Sequence, residues 1–398
     1  MKIRSIVHVI PYFQPVYGYE EYYHAMEHTR GGVKVTVVTS KYYHRDIYPE
    51  KKKVDKSEDA GLPFDIIRLP TLSFGHPSQC LLIGLIKTLK SLDYDALYLH
   101  GPECIAYSLI PKSLKNDKPT LVDVHKDGVK WNPEKDSGLL SRILSGLVFQ
   151  LRSVVIRKNS SGCKGLLFFS SDHSEQFVKT YNIDEKIKTY ELFMPVDLEM
   201  FKFSQRGREL FRQKYNVKMS DTVVTVCGRL IREKKISEII RAFQAISDEN
   251  IHLFLVGDFE NEYKVEIYAE FSDFIGSGRV HILPKMTKLE LVSLYSASDF
   301  ALWLSHMSVG ILEALACGAM VLTNKEAKKY YEVIPYEGVI GSDPDVAMQY
   351  IRKRACNQAL YEKGNFRHIN SEAVSMLSYR KLAAETISIL EKNTTQSV

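Results

Sequence analysis

Two segments in the second half of the sequence carry side chains suited to gripping a diphosphate. In CGRLIREKK (Cys227–Lys235) an apolar run ends in Gly228 and Arg229, and Lys234 follows after a short loop. A guanidinium holds phosphate oxygens in pairs, whereas an ammonium acts as a point charge. In SHMSVGILEALACGAMVLTN (Ser305–Asn324) a polar loop leads into a short apolar helix, about Val309–Ala316, that bears one acid, Glu313. A carboxylate about one turn into that helix reaches ligand hydroxyls at the carboxyl end of the preceding strand. The amides of Met307, Ser308, Val309 and Gly310 stand at the helix start, where free N–H groups meet ligands. Taken singly, each segment also reads as ordinary surface: a solvated basic loop and a solvated helix acid. Neither the GxGxxG nor the Walker spacing is present, so a dinucleotide fingerprint and a P-loop ATPase find no support.

The first half offers weaker stations. The run after the first apolar segment, PYFQPVYGYEEYY, places Gly18 where a loop meets a helix start, and Glu20 and Glu21 suit that start on macrodipole grounds. His100 in LYLHGP and His125 in VDVHKDG each end an apolar run. A histidine at such an edge either faces a ligand crevice or is a satisfied structural histidine. In Trp131–Lys158, Leu140, Ile143, Leu147, Leu151 and Val154 recur at helical spacing, with Arg142, Arg152, Arg157 and Lys158 among them. This helix either turns its leucines to the core or lies on an anionic membrane over 138–158.

The elements that must position these residues alternate between strand and helix. SIVHVI (Ser5–Ile10), KVTVVTS (Lys34–Ser40), DIIRLP (Asp65–Pro70), DALYLH (Asp95–His100), TLVDVH (Thr120–His125) and GLLFFSS (Gly165–Ser171) are apolar without clean alternation, which predicts parallel strands buried on both faces. Helical stretches such as Glu20–His28 and Leu81–Ser91 lie between them. The pattern restarts after about residue 200 with strands at Thr222–Leu230, Ile251–Asp258, Arg279–Leu283, Phe300–Leu304 and Ala319–Thr323, and helices at Ser237–Ile246, Glu260–Phe271 and Lys288–Ser296. This predicts two doubly wound α/β domains with a boundary near Pro195–Ser204 and a donor-plus-acceptor site between their strand ends.

The totals agree with that reading. A chain of 398 residues exceeds one ordinary core, and 45% hydrophobic with 25% charged residues suits a globular protein. A net charge of +5 accommodates anionic substrates or an anionic membrane and is too small to argue for nucleic acid. The six cysteines are scattered without a CxxC pair, which points to buried thiols in a reducing compartment. Pro11 interrupts the N-terminal apolar run, which reads as a first strand, not a signal peptide. No uncharged run in the amphipathic region approaches the roughly 20 residues of a membrane span.

Six stations in order carry a resemblance. Gly18, His125 in VHKDG, MPVDLEMF (Met194–Phe201), GRLIREK with Gly228, Arg229 and Lys234, LVGD (Leu255–Asp258) and LEALACG with Glu313 resemble the motifs of the family-4 glycosyltransferases of the GT-B superfamily, also called glycosyl transferases group 1. The resemblance spans nearly the whole chain. It implies two Rossmann-like domains facing a central cleft: an acceptor-binding domain of 1–200 plus 380–398 and a donor-binding domain of 201–379. The last helix, Ser378–Asn393, would return to the first domain. It implies transfer of a sugar, with retained anomeric configuration, from a UDP- or GDP-linked donor to a glycan or lipid-linked acceptor, with no cofactor and no metal. Arg229 and Lys234 would stabilise the leaving diphosphate, Glu313 would bind ribose hydroxyls, and His125 would contact the transferred sugar or the acceptor. Gly18 and Gly228 would bring backbone near the phosphates, Asp258 would frame the base, and Met307–Gly310 would meet sugar hydroxyls and phosphate. The scattered cysteines predict a cytoplasmic location, and the membrane reading of 138–158 places the chain at the cytoplasmic membrane face.

The sequence departs from the family where Ser305 replaces the first acid, eight residues before Glu313, and where Met320 and KEAKKYYE replace a proline and a Gly-Gly turn. Three other readings stay open on this scaffold: a catalytically impaired nucleotide-sugar-binding subunit, a nucleotide-sugar epimerase and a phosphorylase. No paired cleft acids and no candidate pyridoxal lysine support the last two.

Overall fold

Strands without a polar face form the interior. Ile6–Ile10, Val35–Ser40, Ala96–His100 and Thr120–Val124 are buried throughout, as parallel strands covered on both faces must be. The computed structural model describes residues 2–17, 20–44, 50–73, 80–124, 139–169, 174–305, 308–330, 333–355 and 375–395. The chain divides into two units, Met1–Phe193 with Tyr379–Val398, and Met194–Ser378.

In chain order the strands of the first unit are β1 (Ser5–Ile10), β2 (Lys34–Ser40), β3 (Asp65–Leu69), β4 (Thr71–Ser73), β5 (Cys80–Leu82), β6 (Ala96–His100), β7 (Thr120–Val124), β8 (Gly165–Phe168) and β9 (Lys188–Glu191). Seven of them form a parallel sheet in the order β3-β2-β1-β6-β7-β8-β9. The helices α1 (Glu20–Arg30), α2 (Leu85–Ser91), α3 (Lys112–Asp117), α4 (Leu139–Ser160) and α5 (Ser174–Tyr181) connect them. One expected helix is shorter than the sequence suggests. Leu81 lies in β5, which pairs antiparallel with β4, and α2 begins only after Gly84, whose φ of 89° turns the chain.

The second unit holds a five-stranded parallel sheet in the order β12-β11-β10-β13-β14. Its strands are β10 (Thr222–Cys227), β11 (Ile251–Val256), β12 (Val280–Leu283), β13 (Phe300–Trp303) and β14 (Met320–Thr323). Its helices are α6 (Gln205–Lys214), α7 (Ile236–Gln244), α8 (Asn261–Ile275), α9 (Lys288–Ala297), α10 (Gly310–Ala316), α11 (Lys325–Tyr330) and α12 (Pro344–Ala355). Local chemistry starts two of them. Ser204 accepts from the Gly207 amide at 3.0 Å at the head of α6, and Thr287 with Glu290 forms a capping box at α9. A buried ion cluster then sets β13. Arg208 and Arg212 of α6 both reach Asp299, at 2.9 and 2.7 Å, and Asp299 accepts from the Val223 amide of β10 at 2.8 Å. The three charged groups are thereby partnered away from water, the two arginines also donating to the Ala297 carbonyl. At the other end of β13, Thr323 donates to the Trp303 carbonyl at 2.6 Å and Asn324 to the Leu304 carbonyl at 3.0 Å. The strand leading to Glu313 is thus fixed at both ends.

The last helix, α13 (Tyr379–Thr395), belongs to the first unit. Tyr379 stacks on Tyr23 of α1 with ring centroids 4.6 Å apart, and Glu391 accepts from the Ile3 amide at 3.0 Å.

Candidate active site

The carboxyl edge of the second sheet is opened by two glycines. Gly228 follows β10 with a φ of 113°, and Gly257 follows β11 with a φ of 141°. A β-carbon on Gly257 would lie 2.0 Å from the Gly228 carbonyl oxygen, so the two strand ends approach as only glycine allows. Arg229 is exposed on the turn, and buried Leu230 ties it down by donating its amide to the Asp258 carbonyl at 2.9 Å. Asp258 itself is exposed. The chain then makes a short 3-10 turn, Arg232–Lys234, and enters α7 through Lys235 at a φ of 57°. That turn folds Lys234 back so that its Nζ donates to the Cys227 carbonyl at 3.3 Å. Burial, with the positive charge of Arg229 added, holds the lysine below its ordinary pKa.

Glu313 lies in the first turn of α10. Burial drives its pKa up to about 7, Lys288 opposes the rise and Asp197 adds to it. The helix can come this close because Gly310 has no side chain: a β-carbon there would sit 3.0 Å from Trp303 Cζ2 and 3.1 Å from the Tyr295 hydroxyl. Ser308 is half-buried and its Oγ accepts from the Gly310 amide at 3.2 Å. That amide is therefore already engaged within the loop. Val309 is 38% exposed at the head of the helix.

The basic turn and the acid meet around Cys227. The Cys227 thiol bonds to the Tyr295 hydroxyl and feels both the Glu313 carboxylate and the Lys234 ammonium. Tyr295 and Cys317 also feel Glu313. A cavity at this edge is lined by Cys227, Lys234, Trp303, Leu304 and Ser305, among others. The structure thus brings together Gly228, Arg229, Lys234 and Glu313, and leaves Asp258 on the neighbouring exposed turn. Cys227, Tyr295, Trp303 and Lys288 were not foreseen from sequence. Cys227 stands next to Gly228 in sequence, whereas Tyr295, Trp303 and Lys288 are joined to the site only through the fold.

His125, Gly18 and Met307 lie outside the described residues. His100 is buried and engaged, its Nδ1 2.6 Å from Asp123 Oδ2. Of the two readings of the amphipathic helix, the core-facing one fails for most of its apolar residues. Ile143, Leu144, Leu147, Val148, Leu151 and Val154 of α4 are 51–68% exposed. Among the described residues no helix is long and apolar enough to cross a membrane, and no three His, Cys, Asp or Glu side chains are grouped to hold a metal ion.

Two Rossmann-like units, one bearing two cations and an acid at its strand ends, give the chain the GT-B fold. Residues 207–362 match the family described as glycosyl transferases group 1. No curated protein matches the sequence. Among solved structures, Anabaena Alr3699/HepE in complex with UDP superposes with a TM-score of 0.67 at 16% identity, covering 99% of this chain and 100% of that one. Sucrose-phosphate synthase (tll1590) from Thermosynechococcus elongatus gives 0.68 at 16%, again over 99% and 100%. WaaG, a glycosyltransferase involved in lipopolysaccharide biosynthesis, gives 0.63 at 16%, over 97% and 99%. At these identities the likeness is one of fold.

Proposed function

We propose that the chain transfers a sugar from a UDP- or GDP-linked donor to a hydroxyl of a glycan or lipid-linked acceptor, with retained anomeric configuration and without a metal or cofactor. The observation that carries this reading is the gathering of Lys234, Arg229 and Glu313 around Cys227 at one sheet edge. The family match over residues 207–362 supports it, as do the UDP and UDP-glucose bound by HepE, whose fold this chain shares.

In this mechanism the bond from the anomeric carbon to the diphosphate oxygen breaks, and the electron pair leaves with the diphosphate. Lys234 and Arg229 stabilise that charge, fixed in place before the reaction. Lys234 is the better placed of the two, since burial has already removed part of its hydration. Glu313 accepts hydrogen bonds from ribose hydroxyls, with Lys288 favouring its ionised form. His125 contacts the transferred sugar or the acceptor, Gly18 approaches the phosphates, and Asp258 borders the base. Met307, Ser308 and Val309 face the sugar. The acceptor hydroxyl forms the new bond to the anomeric carbon and passes its proton to the departing diphosphate oxygen.

The exposed apolar stripe of α4 favours a location at a membrane facing the cytoplasm. Six large apolar side chains on one helix, with Arg152, Arg157 and Lys158 in its last turns, suit an anionic lipid surface. A lipid-linked acceptor would be met at that surface.

The test is turnover of labelled UDP- and GDP-sugars with lipid-linked and free glycan acceptors, reading the anomeric configuration of the product. A product of retained configuration is expected. Nucleotide-dependent thermal stabilisation without product under any pairing would instead make the chain a binding subunit.

A further inference from the structure

Away from the second-unit site, the first unit contains one continuous buried chain of polar side chains, an Asp123–His100 ion pair followed by hydrogen bonds from His100 to Thr386. Asp123 Oδ2 lies 2.6 Å from His100 Nδ1, His100 Nε2 lies 2.9 Å from His8 Nδ1, and His8 Nε2 lies 3.0 Å from His28 Nδ1. His28 Nε2 lies 2.8 Å from Thr386 Oγ1, which donates to the Ala383 carbonyl at 2.9 Å. The links come from β7, β6, β1, α1 and α13 in turn, and all five side chains are buried. One end reaches the carboxyl edge of the sheet, where Asp123 also accepts from the Gly101 amide at 2.8 Å. The other end borders a solvent-open groove between α1 and α13, lined by Glu27, His28, Arg380 and Ala383 among others.

With Asp123 ionised, counting protons along the chain leaves two satisfied arrangements. With the Thr386 hydroxyl donating to Ala383, His28 Nε2 must donate to Thr386. His28 Nδ1 then accepts from His8, and His8 Nδ1 accepts from His100. His100 Nδ1 faces a carboxylate and must also carry a proton, so His100 is an imidazolium. Removing one proton gives the alternative. His100 then donates only to Asp123, every other bond reverses, and the Thr386 hydroxyl turns to His28. With Asp123 ionised, any other distribution along these links leaves two acceptors or two donors facing each other in a dry interior, at a cost of roughly 1–3 kcal/mol or more.

We propose that Asp123, His100, His8, His28 and Thr386 form a one-proton relay that couples the carboxyl edge of the first sheet to the C-terminal helix. With the proton, a buried His100–Asp123 ion pair holds the sheet edge and the α13 hydroxyl stays within its own helix. Without it, the whole chain changes polarity and α13 is held to α1 by a hydroxyl donated to His28. The proton exchanges with water through the α1–α13 groove. The step forms and breaks only N–H and O–H bonds and needs no co-reactant.

The middle rings fit this assignment. Burial and neighbouring imidazoles hold His8 well below its ordinary pKa, and burial brings His28 to about 3, so neither stores the charge. The charged and titratable groups around the relay are His24, with Glu20 3.5 Å from its Nε2, Glu21 and Glu20 acting through Tyr98, Glu103 acting through Tyr107, and Glu27 and Arg380 in the groove. The relay is independent of the sugar chemistry and stands or falls without it.

The test is NMR of the full chain with 15N-labelled histidine, followed between pH 6 and 9. Among the four buried histidines one ring is expected to carry two N–H protons at pH 7 and to lose one as pH rises. Thr386→Val removes the donor needed only by the proton-free arrangement, so it should raise that midpoint by about half a unit or more, about threefold in proton affinity. Thr386→Ser keeps the hydroxyl and should titrate like the wild type. Four singly protonated rings throughout, an unmoved midpoint in Thr386→Val, or an equal shift in Thr386→Ser would each overturn the relay.

Discussion

Lys234 Nζ occupies the space beneath Gly228: a β-carbon on residue 228 would meet it at 2.5 Å. The glycine and the lysine are one device, since the bare α-carbon lets the ammonium fold back under the turn to the Cys227 carbonyl. Gly228→Ala should therefore act twice. Its φ of 113° adds about 1–3 kcal/mol of backbone strain, and the methyl group displaces the lysine. Expected outcomes are a fall of that size in denaturant stability and at least about a tenfold loss of turnover. Turnover unchanged from wild type would remove Lys234 from the leaving-group side.

The second prediction concerns Glu313, whose carboxyl holds its proton up to about pH 7 because it is buried. Its neutral form is favoured in the fold, so its contribution to stability is present at low pH and is lost as pH rises from about 4.5 to 7. Nucleotide binding should run the other way, because ribose hydroxyls need the ionised carboxylate as acceptor. From pH 6 to 8 the affinity attributable to Glu313, taken as wild type relative to Glu313→Gln, should rise about tenfold. Calorimetry at both pH values checks this, and a difference that does not change with pH would contradict it.

Acid lability of the first unit is a third expectation. His8 and His28 are held below their ordinary pKa, chiefly by burial, so the unfolded chain binds protons that the folded one refuses. The stability they allow is complete above about pH 6.5 and falls as pH drops toward the folded values. Between pH 6.5 and 5.5 the two histidines together should remove about 2 kcal/mol. Denaturant unfolding of the first unit at the two pH values measures this, and no loss of stability would contradict the neutral assignment of the pair.

For α4 the exposure makes a clean experiment possible. Leu147→Ser with Leu151→Ser alters side chains 58% and 68% exposed, so the melting temperature should stay within about a degree or two. Sedimentation with anionic vesicles should fall several-fold, and Lys158→Glu should lower it further. Equal sedimentation of all variants would separate the stripe from any membrane.

Much of the scaffold was legible because its signal is local. β1 and β2 span the residues their apolar runs mark out, Ser5–Ile10 and Lys34–Ser40. β9, KTYE at an exposed sheet edge, carries no apolar run to detect, and the charged residues of α6 hide a helix held by Arg208 and Arg212. Cys80–Leu82 failed differently, because three apolar residues fit a helix start as well as a hairpin strand. At the site, Gly228, Lys234 and Glu313 stood out by type and spacing. Tyr295 and Lys288 did not, since only the packing of α9 brings them to Glu313. The histidine relay joins residues 8, 28, 100, 123 and 386, separations over which no sequence pattern operates.

The proposed convergence of Lys234 and Glu313 on one nucleotide is tested most directly by titrating wild type, Lys234→Ala and Glu313→Ala with UDP, UMP, GDP and GMP. For the base that binds, Lys234→Ala should lose about tenfold or more toward the diphosphate and little toward the monophosphate, while Glu313→Ala should lose a similar factor toward both. Wild-type diphosphate affinity in both variants, or no binding by the wild type, would contradict the account.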